Sequence, residues 1–555
     1  MKVVLSILLA AAVMLTGCTL GKTSSAVDPD DIVLPIDNTA EVMDNIVIVG
    51  YKDGCRQAAI SLIKLIDPSA RMRVDLPSIK AVSFGTSANL ASIKTALKAQ
   101  FSSDDTLKDK IAYIEPSYKR YKVEPVKKAN TDIEKSKSLA DEYPFEDFYQ
   151  KYQWGMRKIN APAAWTAGYT GSGIVVAVVD TGIDGTHFDL LGQTTEGYRP
   201  YYDELIAAGA DSSYGGAHGT HVAGIIAARD DASGVKGVAP GARVMPIVIF
   251  DDVGYIGDDY VAEGILWAAE HGATVYNNSW GGKGYSFVLA DMLALVRYYY
   301  GAVIVASAGN SHTDEIHYPS CYPGVINVAA SDPQDAITNF STRGQWVTVA
   351  APGDYYILST VPLWDTDEFF DGVHPYAFYG GTSMATPHVS GVAALVLEKL
   401  GVGAVASRIS TSSMLSSPTP STLYTPYQIR KLIAGTADDI ADSGFDTASG
   451  WGRVNAGKAV SESLPSSEGA NLFINSDQPC TYVSLYPKTS GVPVYYGKAD
   501  DFWYYLHIIG IEPGEYTLYA GSGDAWYTGV PVEAAVGIQV DVSLAEGDNT
   551  VNLNF

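Results

Sequence analysis

Four short apolar runs in the middle of the chain carry no polar alternation: residues 174–179, 243–250, 273–276 and 302–305. Runs of this kind predict strands of a parallel sheet covered on both faces, because only there are both sides of a strand out of water. Residues 222–228, 261–269 and 289–299 fall between or beside them and predict helices. The alternation predicts an α/β domain over residues 145–464, built on a doubly wound parallel sheet. A longer apolar run, 389–400, predicts a buried helix with Pro387 in its first turn, where a missing N–H leaves nothing unpaired.

The pattern differs on either side of this domain. Strand-like runs at 45–49, 79–84 and 111–116 alternate with helical stretches at 57–66 and 90–101. That order predicts a small ferredoxin-like α+β unit over residues 45–121. A charged, aperiodic stretch, 122–144, separates it from the main domain and predicts an exposed linker. From 469 to 555 the helical period disappears, and segments at 482–486, 502–509, 516–520 and 536–544 are punctuated by Gly, Pro and Asp. These predict a small all-β domain of sandwich type.

Charge and the amino terminus change the picture further. Lys and Arg number 37 against 62 Asp and Glu, a net charge of −25. So acidic a surface argues against nucleic acid and anionic lipid as partners. Lys2 precedes an apolar stretch, 3–15, too short to span a bilayer and of the size of a signal-peptide core. It ends in Leu15-Thr16-Gly17-Cys18, which resembles the lipobox of bacterial lipoproteins. The resemblance implies removal of residues 1–17, lipid on Cys18, and a place in the cell envelope facing away from the cytoplasm. A secretory signal cut elsewhere is the alternative. Residues 18–44, rich in Ser, Thr, Asp and Pro, then form a tether. Cys55, Cys321 and Cys480 stand far apart in sequence and read as isolated thiols.

Candidate chemistry gathers where the strands end. Asp180 follows the run 174–179, and Asn310 follows the run that opens at 302. His218-Gly219-Thr220-His221-Val222-Ala223-Gly224 opens one helix. Gly380-Gly381-Thr382-Ser383-Met384-Ala385-Thr386-Pro387-His388-Val389 opens another. A serine at a helix start sits among free N–H groups, which suit the oxyanion its attack on a carbonyl creates. Each residue alone has a plainer reading, as a cap or a structural histidine.

Together, with Asp180-Thr181-Gly182-Ile183-Asp184, these motifs resemble the subtilisin family of serine proteases over residues 150–460. The resemblance implies an endopeptidase that works through an acyl-enzyme, with Asp180, His221 and Ser383 as triad and Asn310 in the oxyanion hole. His221 is taken over His218 because it directly precedes Val-Ala-Gly. Ser279, Trp280 and Gly281 resemble the segment that pairs with substrate backbone, and residues 318–323 the far wall of the specificity pocket. Asp314 and Glu315 beside that wall either favour a basic side chain or belong to a plain solvated loop. A structural calcium ion is implied at Gln150, Asp189 and Asp231, with carbonyls of Arg229, Ser233 and Val235; all are oxygen donors. No organic cofactor is implied. The amino-terminal unit resembles the family's inhibitory prodomain, which implies self-cleavage and an intramolecular inhibitor besides polypeptide substrates. Two other readings remain open: a catalytically silent lipoprotein that binds a surface ligand through its C-terminal β domain, and a zinc site from His187, Asp189, His218 and His221.

Overall fold

The computed structural model describes residues 40–107, 109–122, 152–369, 372–402, 424–467, 469–488, 495–511, 514–522, 536–545 and 547–553. The signal segment, Cys18, most of the tether and of the linker, and Gln150 lie outside these residues. The chain divides into two compact units, one spanning Asp44–Pro116 and the other running from Ser117 onward and including residues 40–43.

In the first unit, β1 (Val42–Tyr51), β2 (Arg71–Leu76), β3 (Ala81–Gly85) and β4 (Ile111–Tyr118) form a sheet in the order β2-β3-β1-β4. Helices Arg56–Ile66 and Leu90–Ser103 complete a β-α-β-β-α-β order, as the sequence predicts for a ferredoxin-like unit. Leu90, Ile93, Leu97 and Phe101 form the buried stripe of the second helix, and Asn89 caps it by accepting from Ser92 N. β2 is absent from the sequence-based reading. Its buried positions are only Val74 and Leu76, set among Arg71, Arg73 and Asp75.

The second unit begins with β5 (Tyr121–Lys122) and then builds the main sheet. Its strands are β6 (Val175–Asp180), β7 (Gly197–Arg199), β8 (Glu204–Ile206), β9 (Arg243–Val248), β12 (Val275–Asn278), β14 (Val303–Ser307), β15 (Ile326–Ser331) and β16 (Val349–Pro352). The short strands β10 (Phe250–Asp251), β11 (Gly254–Tyr255) and β13 (Trp280–Gly281) lie between these in sequence. The eight run in the order β16-β15-β14-β12-β6-β9-β7-β8, all parallel pairs except β7 with β8. This is the doubly wound α/β sheet the apolar runs predict. β6, β12 and β14 are adjacent, so Asp180, Ser279 and Asn310, at or just past their carboxyl ends, are brought to one rim of the sheet. β17 (Ile357–Thr360) and β18 (Tyr376–Tyr379) pair as a hairpin.

The helix that carries Ser383 starts earlier than its apolar run, at Thr382, and ends at Lys399. Residues 382–397 are all buried. Pro387 is therefore inside the helix, not in its first turn as expected. Its missing N–H leaves the Ser383 carbonyl without the usual helical donor, and Ser279 Oγ supplies one at 2.9 Å.

At the carboxyl end, β19 (Ala470–Pro487), β20 (Tyr495–Ile511), β21 (Gly514–Ser522), β22 (Val536–Leu544) and β23 (Gly547–Leu553) make one five-stranded sheet. β23 lies parallel to β19 while the other pairs are antiparallel. Cys55 and Cys321 are free thiols, and burial pushes the Cys321 thiol up to about 12. Among the described residues no helix is long and apolar enough to cross a membrane.

Candidate active site

Asp180 ends β6 and is fully buried. The helix His218–Ala227 starts against it, and His218, its first residue, sets Nδ1 2.8 Å from Asp180 Oδ1 and 3.0 Å from Oδ2. A carboxylate only accepts, so Nδ1 carries the proton and Nε2 is left as the basic nitrogen. Nε2 is buried and has no hydrogen-bond partner among the described residues. Gly219 permits this seating: a Cβ there would lie 2.2 Å from Gly182 O and 3.2 Å from Asp180 Cβ.

His221, expected to pair with Asp180, does not. It lies one helical turn further on, fully buried, with Nε2 3.2 Å from Ile357 O and 3.1 Å from Ala377 O. Its ring stacks on Tyr379 at 4.3 Å between centroids, and burial pushes its pKa down to about 3. The residue that meets the aspartate is His218. The motif's residues do not separate the two; the fold does, because 218 opens the helix beside Asp180 whereas 221 is enclosed by the hairpin β17–β18.

Ser383 is the second residue of its helix. Its Oγ donates to Ser279 O at 3.0 Å, while Ser279 Oγ donates back to Ser383 O. Asn310 Oδ1 accepts from Thr382 N at 3.0 Å and from Thr382 Oγ1 at 2.9 Å. Both bonds fix the amide so that Nδ2 faces away from Thr382, buried and without a partner among the described residues. A Cβ at Gly381 would come 3.1 Å from that nitrogen, so the glycine keeps the space open. A donor held in this way is what a developing oxyanion needs. Beside it, Trp280 and Gly281 pair antiparallel with Lys122 and Tyr121, as a substrate-binding edge would.

Residues 171–452 match the model of the subtilase family, peptidase S8. The chain belongs to the subtilase family. Fervidolysin of Fervidobacterium pennivorans is 39% identical over 522 residues, which cover 88% of this chain and 69% of the relative. Thermitase of Thermoactinomyces vulgaris is 37% identical over 57% of this chain and 99% of its own length. The crystal structure of fervidolysin, described as a keratinolytic enzyme related to subtilisin, superposes with a TM-score of 0.77 at 34% identity. That match covers 97% of this chain and 82% of the other. This subtilase is a serine endopeptidase, and its substrates are polypeptides.

Gly282 and Tyr318 exchange backbone hydrogen bonds of 3.0 and 2.9 Å, which sets the 318–323 segment beside the Ser279–Gly281 edge. Glu315 is matched by Lys283 at 2.8 Å and His317 at 3.7 Å, so its charge is not free to select a basic side chain.

Five of the six expected calcium ligands, Asp189, Arg229, Asp231, Ser233 and Val235, lie together. Val235 N donates to Asp189 Oδ2 at 2.8 Å and Arg229 N to Asp189 O at 2.9 Å. Ser233 N donates to Asp231 Oδ1, and the Arg229 guanidinium pairs with Asp231 at 2.7 Å. Burial pushes the Asp189 carboxyl up to about 6, with the neighbouring Asp231 charge adding to it. The Asp189 carboxylate, largely buried, and the Asp231 carboxylate, paired with Arg229, are oxygen donors of the kind a hard cation takes. Among the described residues no group of three or more His, Cys, Asp or Glu gathers in metal-binding geometry. His187 faces Pro375 O and Asp189 N, so His187, His218 and His221 point into three different surroundings and not at one zinc position.

Proposed function

We propose that Asp180, His218 and Ser383 are the working triad of this endopeptidase and that Asn310 holds the oxyanion. The observation that carries this reading is the short contact of Asp180 with His218 Nδ1, which leaves Nε2 as the one basic ring nitrogen. Ser383 Oγ attacks the peptide carbonyl carbon as His218 Nε2 takes its proton. The negative charge that forms on the carbonyl oxygen is met by Asn310 Nδ2 and the Ser383 N–H at the helix start. His218 then gives its proton to the leaving amine, and the acyl group stays on Ser383. Water, activated by the same nitrogen, releases it. Asp180 keeps the ring in this tautomer and stabilises its charged form.

Self-maturation belongs to the same reading. The amino-terminal α+β unit acts as inhibitor and folding aid until the chain is cut after it. The pairing of residues 121–122 with the substrate edge supports this. Ser383→Ala chain should accumulate as the full-length product while wild type yields a shorter one, and equal processing of both would refute self-cleavage. Residues 1–18 support export and lipid anchoring at Cys18. Incorporation of labelled palmitate that vanishes in Cys18→Ala checks this, and labelling of both chains alike would refute it.

Calcium is proposed at Asp189 and the 229–235 loop, where it would brace the loop electrostatically. Calcium at about a hundred times its Kd should stabilise the Ser383→Ala chain by about 2.7 kcal/mol. Calorimetry with calcium and with chelator reads this out, and Asp189→Asn should abolish the difference. An unchanged melting temperature in the Ser383→Ala chain with Asp189 intact would refute the site.

A further inference from the structure

The residues 117–122 fold with the protease unit and run along the edge formed by Trp280 and Gly281. Tyr121 and Lys122 lie antiparallel to Gly281 and Trp280. Just before them, Arg120 is 1% exposed and enters a pocket closed by Asp258 at the first position of the helix Asp258–Glu270. Its Nε and Nη2 meet Asp258 Oδ1 and Oδ2 at 3.0 and 2.9 Å, a two-pronged match of guanidinium to carboxylate. Its Nη1 donates to the carbonyls of Gly282, Lys283 and Gly284 at 3.3, 2.8 and 2.9 Å. Asp258 is fully buried and is held by the Tyr255 hydroxyl and by Tyr118 N as well. Two glycines clear the way for the chain: a Cβ at Gly282 would lie 2.8 Å from Lys119 O, and one at Gly284 2.3 Å from the Tyr118 ring.

This pocket is built for a guanidinium. A lysine ammonium could meet one carboxylate oxygen but not span both prongs and the three carbonyls. An apolar side chain would leave Asp258 buried and uncompensated. The register also relates the pocket to the nucleophile. A bound peptide that carried on the pairing of Tyr121 with Gly281 and Lys122 with Trp280 would set the third residue after its arginine opposite Ser279, whose carbonyl accepts from Ser383 Oγ. We infer that this endopeptidase selects polypeptides with arginine as the fourth residue on the amino side of the cut bond, counting the acyl residue as first, and that Asp258 is the residue that reads it. The inference rests on the triad reading given above.

Two fluorogenic peptides of sequence X-Tyr-Lys-Val-reporter test it on the full chain, one with arginine and one with its neutral isostere citrulline at X. The arginine peptide should have a kcat/KM at least about tenfold higher, and Asp258→Asn should bring the ratio close to one. Competition from the chain's own segment slows both peptides alike and leaves the ratio intact. The wild-type ratio stands even if the variant fails to fold. Equal rates for the two peptides, in a protein whose Ser383 reacts with a fluorophosphonate, would overturn the pocket and leave the protease reading standing. No hydrolysis of either peptide and no fluorophosphonate label would overturn both. A second readout needs no turnover: in the Ser383→Ala chain, Arg120→Leu should speed amide exchange at residues 121–122 by at least about tenfold, and Lys119→Leu should not. Equal protection in these two variants would also overturn the inference.

Discussion

At the scale of single residues, two histidines one helical turn apart have opposite duties. His218 keeps one nitrogen on a carboxylate and one without a partner among the described residues; His221 faces two carbonyls in a closed interior. His218→Ala should therefore lower kcat by about 10⁶-fold while the fold persists, the magnitude known for the histidine of subtilisin itself. His221→Asn should instead lower stability by about 1–3 kcal/mol, because buried carbonyls lose their partner. Peptide hydrolysis beside thermal unfolding separates the two effects. Asn310→Ala should cost about 10²–10³ in kcat, again subtilisin's own value, with KM little changed. Asp180, Asn310 and Ser383 were legible in the sequence because each stands where an apolar run stops or a glycine pair precedes a helix. The choice between His218 and His221 was not legible from the motif's wording. It turns on which side chain stays at the rim when the helix is buried all round.

At the scale of elements, the helix that carries the nucleophile is completed by a neighbour. Pro387 removes the donor that the Ser383 carbonyl would use, and Ser279 Oγ replaces it while Ser279 O receives the nucleophile's hydroxyl. Ser279→Ala should destabilise the protein by about 1 kcal/mol, measured by urea unfolding in the Ser383→Ala background, since it removes the hydroxyl that this buried carbonyl accepts from. An unchanged midpoint would mean the helix start tolerates the loss. The long apolar runs made β6, β9, β12, β14 and the buried helices legible. β15 and β16 escaped because Ile326–Ser331 and Val349–Pro352 are short and rich in alanine, weak signals for a strand. β2 escaped because most of its residues face water. Pairing with neighbours, which no local pattern encodes, decides such strands.

At the scale of the whole molecule, the buried histidines tie stability to pH. Burial lowers His221 to about 3 and His388 to about 4, against 6.5 unfolded. Each binds its proton on unfolding, so the stability each contributes is full above about pH 6.5 and falls as pH drops toward its folded value. Asp189 and Glu263 are pushed up by burial, to about 6 and about 7, and act in the opposite sense. A difference measurement isolates the histidine: the loss of stability between pH 6.5 and 5 should be smaller in His388→Gln than in wild type by about 2 kcal/mol. Equal losses would mean His388 is protonated in the folded state. The domain order was legible at this scale from changes in hydrophobic period; the assignment of residues 117–122 to the protease unit was not, because Arg120 finds Asp258 across 138 positions. The central claim is that Asp180, His218 and Ser383 act together, and reaction of the full chain with a fluorophosphonate tests it most directly. Peptide mapping should place the label on Ser383, with labelling abolished in a folded His218→Ala chain and kept in a folded His221→Asn chain. A label that survives loss of His218 but not of His221 would contradict the account.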